Sequence, residues 1–267
     1  MKITCWITVA LAISTLARLV QPNLISAQDA VATARAPIQN SATTPGPRQQ
    51  GNWMRHHEQI NERAKQGDVD LLFIGDSITD FWQTPATSAR PQGGGGKDVW
   101  EKYYGNRKAM NAGISGDRTQ HVLWRLDHGN IDGIHPKLAV VMIGTNNAPQ
   151  DGNTGEEIGE GIKAIIGKLR EKLPETKVLL LAIFPRSDKP TENEQMKEKI
   201  AKANQIAASL ADNKMIYFMD IGPKFLDAEG NIPTDIVPDH LHPNAKGYGI
   251  WAEAIEPKVA ELMGEKK

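Results

Sequence analysis

The sequence predicts an α/β fold: a three-layer α/β/α arrangement around one doubly wound, five-stranded parallel sheet of flavodoxin-like type. Short apolar runs alternate with helical patterns along most of the chain, which is typical of parallel strands joined by right-handed crossovers. No Gly-x-Gly-x-x-Gly follows any of these runs, which disfavours a dinucleotide-binding Rossmann domain. A chain of 267 residues with 40% hydrophobic residues also supplies one substantial core.

Five apolar runs, each bounded by turn or helix signals, are predicted to be the strands. The first, from Leu71 to Ile74, has four apolar residues in a row, which suits a strand covered on both faces. The others are a short run at Ala109 to Asn111, then Leu138 to Ile143, Val178 to Ile183 and Met215 to Met219. A flavodoxin-like sheet would place them in the order 2-1-3-4-5.

Helical patterns separate these runs. A polar helix is predicted before the first strand, from Trp53 to Lys65. Further helices are predicted at Thr119 to His128, Glu156 to Lys172, Glu194 to Leu210 and Ala245 to Met263.

Residues 1–27 have the pattern of a secretory signal peptide. Lys2 provides a positive charge, Ile3 to Leu16 a mostly apolar segment, and Ile25-Ser26-Ala27 a small-residue cleavage site. Arg18 interrupts the apolar run well short of the ~20 residues that a membrane span requires. We therefore expect a secreted or periplasmic protein without a stable span, with an uncleaved anchor as the alternative. The single cysteine, Cys5, lies in this segment, so the mature chain would have no disulfide or thiolate site.

Residues 28–50 are predicted to be a disordered linker, because they are rich in Ala, Thr, Gln and Pro and have few large apolar groups. Residues 51–267 would then form the folded domain. The formal net charge of -1, from 31 basic and 32 acidic residues, gives no sign of a nucleic-acid or anionic-membrane partner. A small substrate of little charge fits this balance better.

The stretch from Gln83 to Lys97 departs from the short connections elsewhere. It contains two prolines and four consecutive glycines, Gly93 to Gly96, and is bracketed by Trp82 and Trp100. It is predicted to be a flexible insertion. A long loop inside a compact domain is usually functional or disordered, so a rim beside the active site and a mobile surface excursion are both open.

The first strand ends abruptly in Gly75-Asp76-Ser77. Gly75 permits a tight turn, and Ser77 would lie at the carboxyl end of the strand, where open α/β sheets bind their ligands. Ser77 is therefore a candidate nucleophile. Taken alone, the same three residues also fit an ordinary strand-to-helix junction with Ser77 as the N-cap.

Three other strand ends carry polar groups in the corresponding place. They are Asn111-Ala112-Gly113-Ile114-Ser115-Gly116-Asp117, Gly144-Thr145-Asn146-Asn147 and Asp239-His240-Leu241-His242-Pro243. Because the carboxyl ends of neighbouring parallel strands converge on one crevice, these segments can meet although they are far apart in sequence.

Acyl transfer is the chemistry that needs this set of groups. A serine hydroxyl requires an imidazole base, and the imidazole requires a carboxylate on its other nitrogen; Ser77, His242 and Asp239 can supply the three. The oxyanion requires fixed donors. The backbone N–H groups of Ser77 and Gly113 and the carboxamide of Asn146 could provide them.

These four blocks resemble those of the SGNH, or GDSL, hydrolase superfamily, in the same order. Within it, the chain is most similar to the branch that contains the catalytic subunits of intracellular platelet-activating-factor acetylhydrolase and many bacterial esterases. The similarity spans about residues 69–260. Further matching segments are Thr119 to Leu126, Phe184-Pro185-Arg186 and Leu241 to Tyr248.

The resemblance implies an SGNH hydrolase fold and assigns the roles. Ser77 would be the nucleophile, His242 the general base and then acid, and Asp239 its orienting carboxylate. Ser77, Gly113 and Asn146 would form the oxyanion hole. No metal and no organic cofactor is implied. The Gly-x-Ser-x-Gly elbow of α/β-hydrolases is absent.

The expected function is that of a secreted serine esterase that removes a short acyl group, acetyl in particular, from a carbohydrate or lipid-like alcohol. A small-molecule or glycan ester would be its substrate. The alternatives are a broad arylesterase or thioesterase, and a catalytically silent glycan-binding module on the same fold. An intact nucleophile and base argue against the last, since binding alone needs neither.

Some neighbouring residues compete for these roles. His240 also lies beside Asp239, although the Asp-x-x-His spacing favours His242. Asn147 is better explained as a turn-stabilising residue than as an oxyanion donor. Arg118 and Arg186 follow strands and could border the pocket, but ion-pair or surface roles are equally open.

Overall fold

Five parallel strands form the centre of the fold in a computed structural model that describes residues 39–49, 51–149, 152–187 and 194–265. They are β1 (Leu71–Gly75), β2 (Ala109–Gly113), β3 (Leu138–Met142), β4 (Lys177–Leu181) and β5 (Ile216–Met219). Their spatial order is β2-β1-β3-β4-β5, and every neighbouring pair is parallel. The predicted fold class and strand order are therefore confirmed.

Helices cover both faces of this sheet. They are α1 (Trp53–Lys65), α2 (Ser77–Asp80), α3 (Lys97–Tyr104), α4 (Thr119–Leu126), α5 (Gly155–Lys172), α6 (Glu194–Ala208) and α7 (Ala245–Met263). Leu72 and Ile74 of β1 pack in the core with α1, α4, α5 and α6, while Leu71 and Phe73 pack in the opposite core with α3 and α7. This alternation explains why β1 is apolar at successive positions.

Local capping signals fix where the long helices begin and end. The Thr154 hydroxyl accepts a hydrogen bond from Glu157 N–H and the Glu157 carboxylate accepts one from Thr154 N–H, a reciprocal capping box before α5. The Asn244 side chain accepts from Gly247 N–H at the start of α7, and Gly264 ends that helix in the left-handed conformation. Both ends of α7 thus lie at the predicted residues.

Two helices, α2 and α3, are not in the predicted set. The four residues of α2 are too few to show a helical period, and α3 has only eight residues and follows the glycine-rich stretch. Helix α4 also ends at Leu126, two residues before the predicted His128. These differences lie in short elements, whose conformation depends on the parts of the fold they contact.

The Gln83–Lys97 stretch is an ordered loop, so the prediction of a flexible insertion is wrong. Gly95 N–H donates to Pro85 O at 3.1 Å, and Gly96 N–H donates to Phe81 O at 2.9 Å. A Cβ on Gly96 would lie 2.6 Å from the Tyr248 ring, so only glycine lets the backbone come this close. Of the two open alternatives, this packing disfavours a mobile surface excursion.

The predicted disordered linker, residues 28–50, also needs correction over residues 39–49. Ala42 is fully buried, and its carbonyl accepts a hydrogen bond from the Thr119 hydroxyl at 2.8 Å. Asn153 donates to the Ser41 hydroxyl at 2.9 Å, and Arg48 donates to Ser115 O at 2.7 Å. Hydrogen bonds to distant residues hold this polar segment in place, and composition alone does not reveal such partners.

The predicted signal peptide, residues 1–27, and the first part of the predicted linker, residues 28–38, lie outside the described residues. Within the described part of the chain, none of the helices combines the length and the apolar character that a membrane crossing needs.

Candidate active site

Ser77 lies at the junction of β1 and α2, as the first residue of the helix. The carboxylate of Asp76 caps this helix by accepting a hydrogen bond from Ile78 N–H at 3.0 Å. A Cβ on Gly75 would lie 2.1 Å from the Thr79 hydroxyl oxygen, so the turn requires glycine. The N-cap is thus Asp76, and the Ser77 N–H, at the first turn, has no partner inside the helix.

A continuous hydrogen-bonded chain joins Ser77, His242 and Asp239. Ser77 Oγ is 2.9 Å from His242 Nε2, and His242 Nδ1 is 2.7 Å from Asp239 Oδ2. The serine is 165 positions from the histidine, whereas the carboxylate is only three positions away. With a proton on Nδ1, the imidazole donates to the carboxylate and presents a free Nε2 lone pair to the serine hydroxyl.

Asp239 is held as an anion by its surroundings. Its Oδ1 accepts hydrogen bonds from the backbone N–H groups of His242 at 2.7 Å and Leu241 at 3.1 Å. Partial burial raises the pKa of Asp239, but the hydrogen bonds from the side chain and backbone of His242, with that from Leu241, lower it to about 2. The carboxylate therefore stays charged over the range in which an imidazole titrates.

His240 has a different place in the same loop. Its backbone is left-handed, with φ of 57°, and its carbonyl accepts from Ser187 N–H at 3.0 Å. Together with Ile183, Arg186 and Asp220, it lines a cavity of about 690 Å³. Neither Ser77 nor His242 lines that cavity, so the loop places the two histidines in separate environments.

Gly113 lies next to the serine turn because β1 and β2 pair with Gly75 opposite Gly113. Its backbone N–H donates to Asn111 Oδ1 at 2.8 Å, and Asn111 Nδ2 in turn donates to Thr79 O at 2.8 Å. The Gly113 N–H is therefore at the carboxyl edge of the sheet but is already bonded. An oxyanion would therefore have to share the Gly113 N–H with Asn111 Oδ1 or displace Asn111 Oδ1 from it.

Asn146 follows β3 in the short helical turn Thr145–Asn147 and is half-buried. Its Nδ2 donates to the Asp117 carbonyl at 2.9 Å. A carboxamide nitrogen has two hydrogens, so this contact orients the group and leaves one donor for a ligand.

Asn147 is fully buried and bonded on both sides of its carboxamide. Its oxygen accepts from Thr119 N–H at 3.0 Å, and its nitrogen donates to Asn153 Oδ1 at 2.9 Å and Gln120 Oε1 at 3.1 Å. It therefore ties the turn after β3 to the start of α4, in agreement with a structural role.

The two arginines that could border the pocket have different hydrogen-bond partners. Arg186 is buried, and its Nη1 donates to the Thr145 carbonyl at 3.0 Å, so it braces the turn that carries Asn146. The backbone N–H of Arg118 donates to His121 Nδ1 at 2.9 Å at the start of α4.

Sequence reasoning missed several groups around the site. The Phe81 ring lies 5.1 Å from the His242 ring between centroids, and the Tyr248 hydroxyl donates to the Ile78 carbonyl at 2.7 Å. A buried polar cluster around Asp117 was missed as well. Over the described ranges, no three His, Cys, Asp or Glu side chains are grouped to hold a metal ion.

Asp76 is an unusual carboxyl group beside the serine. It is almost fully buried, and among the described residues its Oδ2 has no hydrogen-bond partner. Burial raises the pKa of Asp76 to about 7, against the opposing effects of the Ile78 N–H bond and the charge of His242. The native state thus keeps a proton on Asp76 at pH values where the unfolded chain has lost it.

We expect the Asp76→Asn variant to gain stability relative to the wild type as the pH rises from about 4 to about 7. Over this range the native wild type binds a proton that its unfolded chain does not, so its free energy of unfolding falls with rising pH. Asparagine keeps the helix cap but does not titrate. The difference across the range should reach up to about 4 kcal/mol, measured by urea unfolding at several pH values. Parallel pH profiles for the two proteins would contradict the raised pKa.

The parallel sheet is covered by helices on both faces, and a serine, an imidazole and a carboxylate are bonded in series at its carboxyl edge. These two features define a serine hydrolase of the α/β class. Residues 73–250 match the model of the GDSL-like lipase/acylhydrolase family. The chain belongs to this family.

Relatives and solved structures agree with this membership. The chain is 32% identical over 232 residues to human platelet-activating factor acetylhydrolase IB subunit alpha1, covering 85% of this chain and 93% of that protein. It is 32% identical to the rat alpha2 subunit over 80% of this chain and 86% of that one.

Two solved structures share the fold. A GDSL-like lipase from Bacteroides thetaiotaomicron aligns with a TM-score of 0.59 and 19% identity, over 77% of this chain and 97% of that one. A catalytic mutant of an acetylxylan esterase from Geobacillus stearothermophilus aligns with a TM-score of 0.53 and 19% identity, over 75% and 96%. The family and the acetylhydrolase relatives identify the chain as an ester-hydrolysing serine hydrolase.

Proposed function

We propose that this chain is an exported esterase that removes short acyl groups, acetyl in particular, from carbohydrate or lipid-like alcohols. The observation that carries the proposal is the bonded series from Ser77 Oγ through His242 to Asp239. Export rests on the pattern of residues 1–27 alone.

In the proposed mechanism, Ser77 Oγ attacks the ester carbonyl carbon while His242 Nε2 takes the hydroxyl proton. Asp239 keeps the other ring nitrogen protonated and stabilises the imidazolium that forms. The imidazolium then gives its proton to the departing alcohol oxygen, which leaves an acyl group on Ser77. Water, deprotonated by the same imidazole, attacks this acyl-enzyme, and the carboxylic acid departs as Ser77 regains its proton.

The oxyanion of both tetrahedral intermediates would be bound by the N–H groups of Ser77 and Gly113 and by the carboxamide of Asn146. Ser77 N–H is at the amino end of α2 and has no partner within the helix, so it can donate to a negatively charged oxygen. Asn146 is pre-oriented by its bond to the Asp117 carbonyl. Fixed donors of this kind act without reorganisation when the charge develops.

The choice of a short acyl group draws on the names of the relatives. Both the platelet-activating factor acetylhydrolase subunits and the acetylxylan esterase are named for acetyl esters. The acetyl group is thus the part that the two names share. An alcohol of little charge agrees with the small net charge of the chain.

An ester panel tests the proposal directly. Purified protein should hydrolyse p-nitrophenyl acetate with a higher kcat/KM than the butyrate, octanoate or palmitate esters, and should release acetate from acetylated xylo-oligosaccharides or an acetylated ether phospholipid. A preference for long acyl chains or thioesters would overturn the acetyl assignment. Absence of turnover on every ester would favour the silent binding module.

The Asn146→Ala variant should lose roughly 10²–10³-fold in kcat, with little change in KM. An oxyanion donor acts mainly in the transition state, so its loss affects the chemical step more than substrate binding. Asn147→Ala should chiefly lower the melting temperature, because it leaves the Thr119 N–H and the Asn153 side chain without their buried partner. Steady-state kinetics and a melting curve on both variants separate the roles. A near-normal kcat in Asn146→Ala would remove it from the oxyanion hole.

A further inference from the structure

A buried ion pair lies behind the proposed oxyanion hole. Asp117 and Arg125 are both almost completely inaccessible, and Arg125 Nε donates to Asp117 Oδ2 at 2.8 Å. The other carboxylate oxygen accepts from the Trp53 indole N–H at 2.6 Å. Both carboxylate oxygens are therefore bonded, and α1 is tied to the loop after β2.

This pair reaches two of the segments that carry the proposed catalytic groups. The backbone carbonyl of Asp117 accepts the hydrogen bond from Asn146 Nδ2 at 2.9 Å. Arg125 Nη2 is 3.4 Å from the carbonyl of Gly75, two residues before Ser77. The carbonyl that orients Asn146 is thus part of the residue whose side chain is fixed by Arg125 and Trp53.

The cluster continues toward α1 without a break in its hydrogen bonds. Arg125 Nη1 donates to Asn130 Oδ1 at 2.5 Å, and Asn130 Nδ2 is 3.1 Å from His57 Nδ1. The His57 ring stacks on Trp53 with centroids 5.7 Å apart. Every charged group of the cluster therefore has several fixed partners, which restricts the position of the Asp117 backbone.

A contribution to folding stability does not by itself explain why the fold contains a buried ion pair. Removing two charges from water is costly, and apolar residues of similar volume often serve the core equally well. The extra order that a charged, bonded cluster supplies is useful where an atom must be held within a fraction of an ångström. The Asp117 carbonyl is such an atom, because it sets the direction of the Asn146 carboxamide.

We propose that Asp117 and Arg125 are positioning residues for ester hydrolysis, which hold the Asn146 carboxamide in its oxyanion-binding orientation and anchor the turn that carries Ser77. This inference rests on the proposed function. Trp53 takes part by fixing the second oxygen of Asp117. Neither charged residue touches the substrate; both act through Asn146 and the Gly75 carbonyl.

The test is a double-mutant cycle in the full chain, with p-nitrophenyl acetate as the substrate. Asp117→Asn keeps the shape and the backbone carbonyl but removes the charge that Arg125 binds. We expect kcat to fall about 10- to 100-fold with KM nearly unchanged. In the Asn146→Ala background the same substitution should change kcat much less, because its main route of action is already gone.

Two further variants distinguish a positioning effect on kcat from a general loss of folding stability. Trp53→Phe keeps the ring but removes the indole donor, and should show a smaller loss of kcat that also shrinks in the Asn146→Ala background; it serves as the test if Asp117→Asn does not fold. Val259→Ala, in the core on the opposite face of the sheet, should lower the melting temperature without changing kcat.

The outcomes are distinct. A lower melting temperature with normal kcat would overturn the positioning role while leaving the esterase proposal intact. An equal fold-loss of kcat with and without Asn146 would overturn the route through the Asn146 carboxamide. If Asn146→Ala itself has normal kcat, the oxyanion assignment fails and the positioning role fails with it. Full activity in Ser77→Ala would instead reject the serine mechanism.

Discussion

The Ser77→Ala variant is expected to lose ester hydrolysis almost completely, by roughly 10⁶-fold in kcat, while keeping its fold. The hydroxyl is the atom that would form the acyl bond, and no neighbouring group can replace it. Ser77 is buried at the start of α2, where alanine is compatible with a helix capped by Asp76. Kinetics with p-nitrophenyl acetate and a melting curve measure the two effects separately.

A matched control and a chemical label sharpen this experiment. Ser209→Ala, which removes an exposed hydroxyl beyond α6, should keep wild-type kcat. A fluorophosphonate probe should label the wild type and Ser209→Ala on the peptide that contains Ser77, and should not label Ser77→Ala. Near-normal turnover in Ser77→Ala, or labelling on a different serine, would reject Ser77 as the nucleophile.

Replacing His242 with asparagine should cost nearly as much, because the serine then has no base and the leaving alcohol has no acid. The expected loss is roughly 10⁶-fold in kcat at neutral pH. Asparagine can still accept or donate one hydrogen bond, but it cannot carry a proton between the two oxygens. The measurement is again kcat on p-nitrophenyl acetate, with intact folding checked by thermal melting.

His240→Asn is the natural control for His242→Asn. His240 has a left-handed backbone with φ of 57°, a conformation that asparagine adopts more readily than alanine, so the substitution avoids added strain. We expect it to keep kcat within a few-fold of the wild type. Loss of activity in His240→Asn with survival of His242→Asn would mean that the base has been assigned to the wrong histidine.

The centre of the sheet was predictable from the sequence because β1 and β3 are buried on both faces. Runs such as Leu138 to Ile143 contain no polar residue, and a parallel sheet is the arrangement that requires this. Residues 39–49 were mispredicted for the opposite reason. Their order comes from single hydrogen bonds to residues far along the chain, such as Thr119 to Ala42, and these leave no periodic signal.

The candidate site was partly predictable, because parallel strands must end at one edge and the chain places polar groups at those ends. The geometry adds what the pattern lacks: the hydrogen bond between Gly113 N–H and Asn111, and the buried carboxyl of Asp76. Arg125 did leave a signal. It lies among Val122, Leu123 and Leu126 on the buried side of a helix, where a charge needs a partner.

The base and its carboxylate belong to a single short loop, and the backbone amides of Leu241 and His242 bind the same carboxylate that holds the imidazole. Opening of this loop would therefore withdraw the proton acceptor and its counter-charge together, and would release both amides to solvent. Hydrogen exchange at the Leu241 and His242 amides would measure the free energy of this opening.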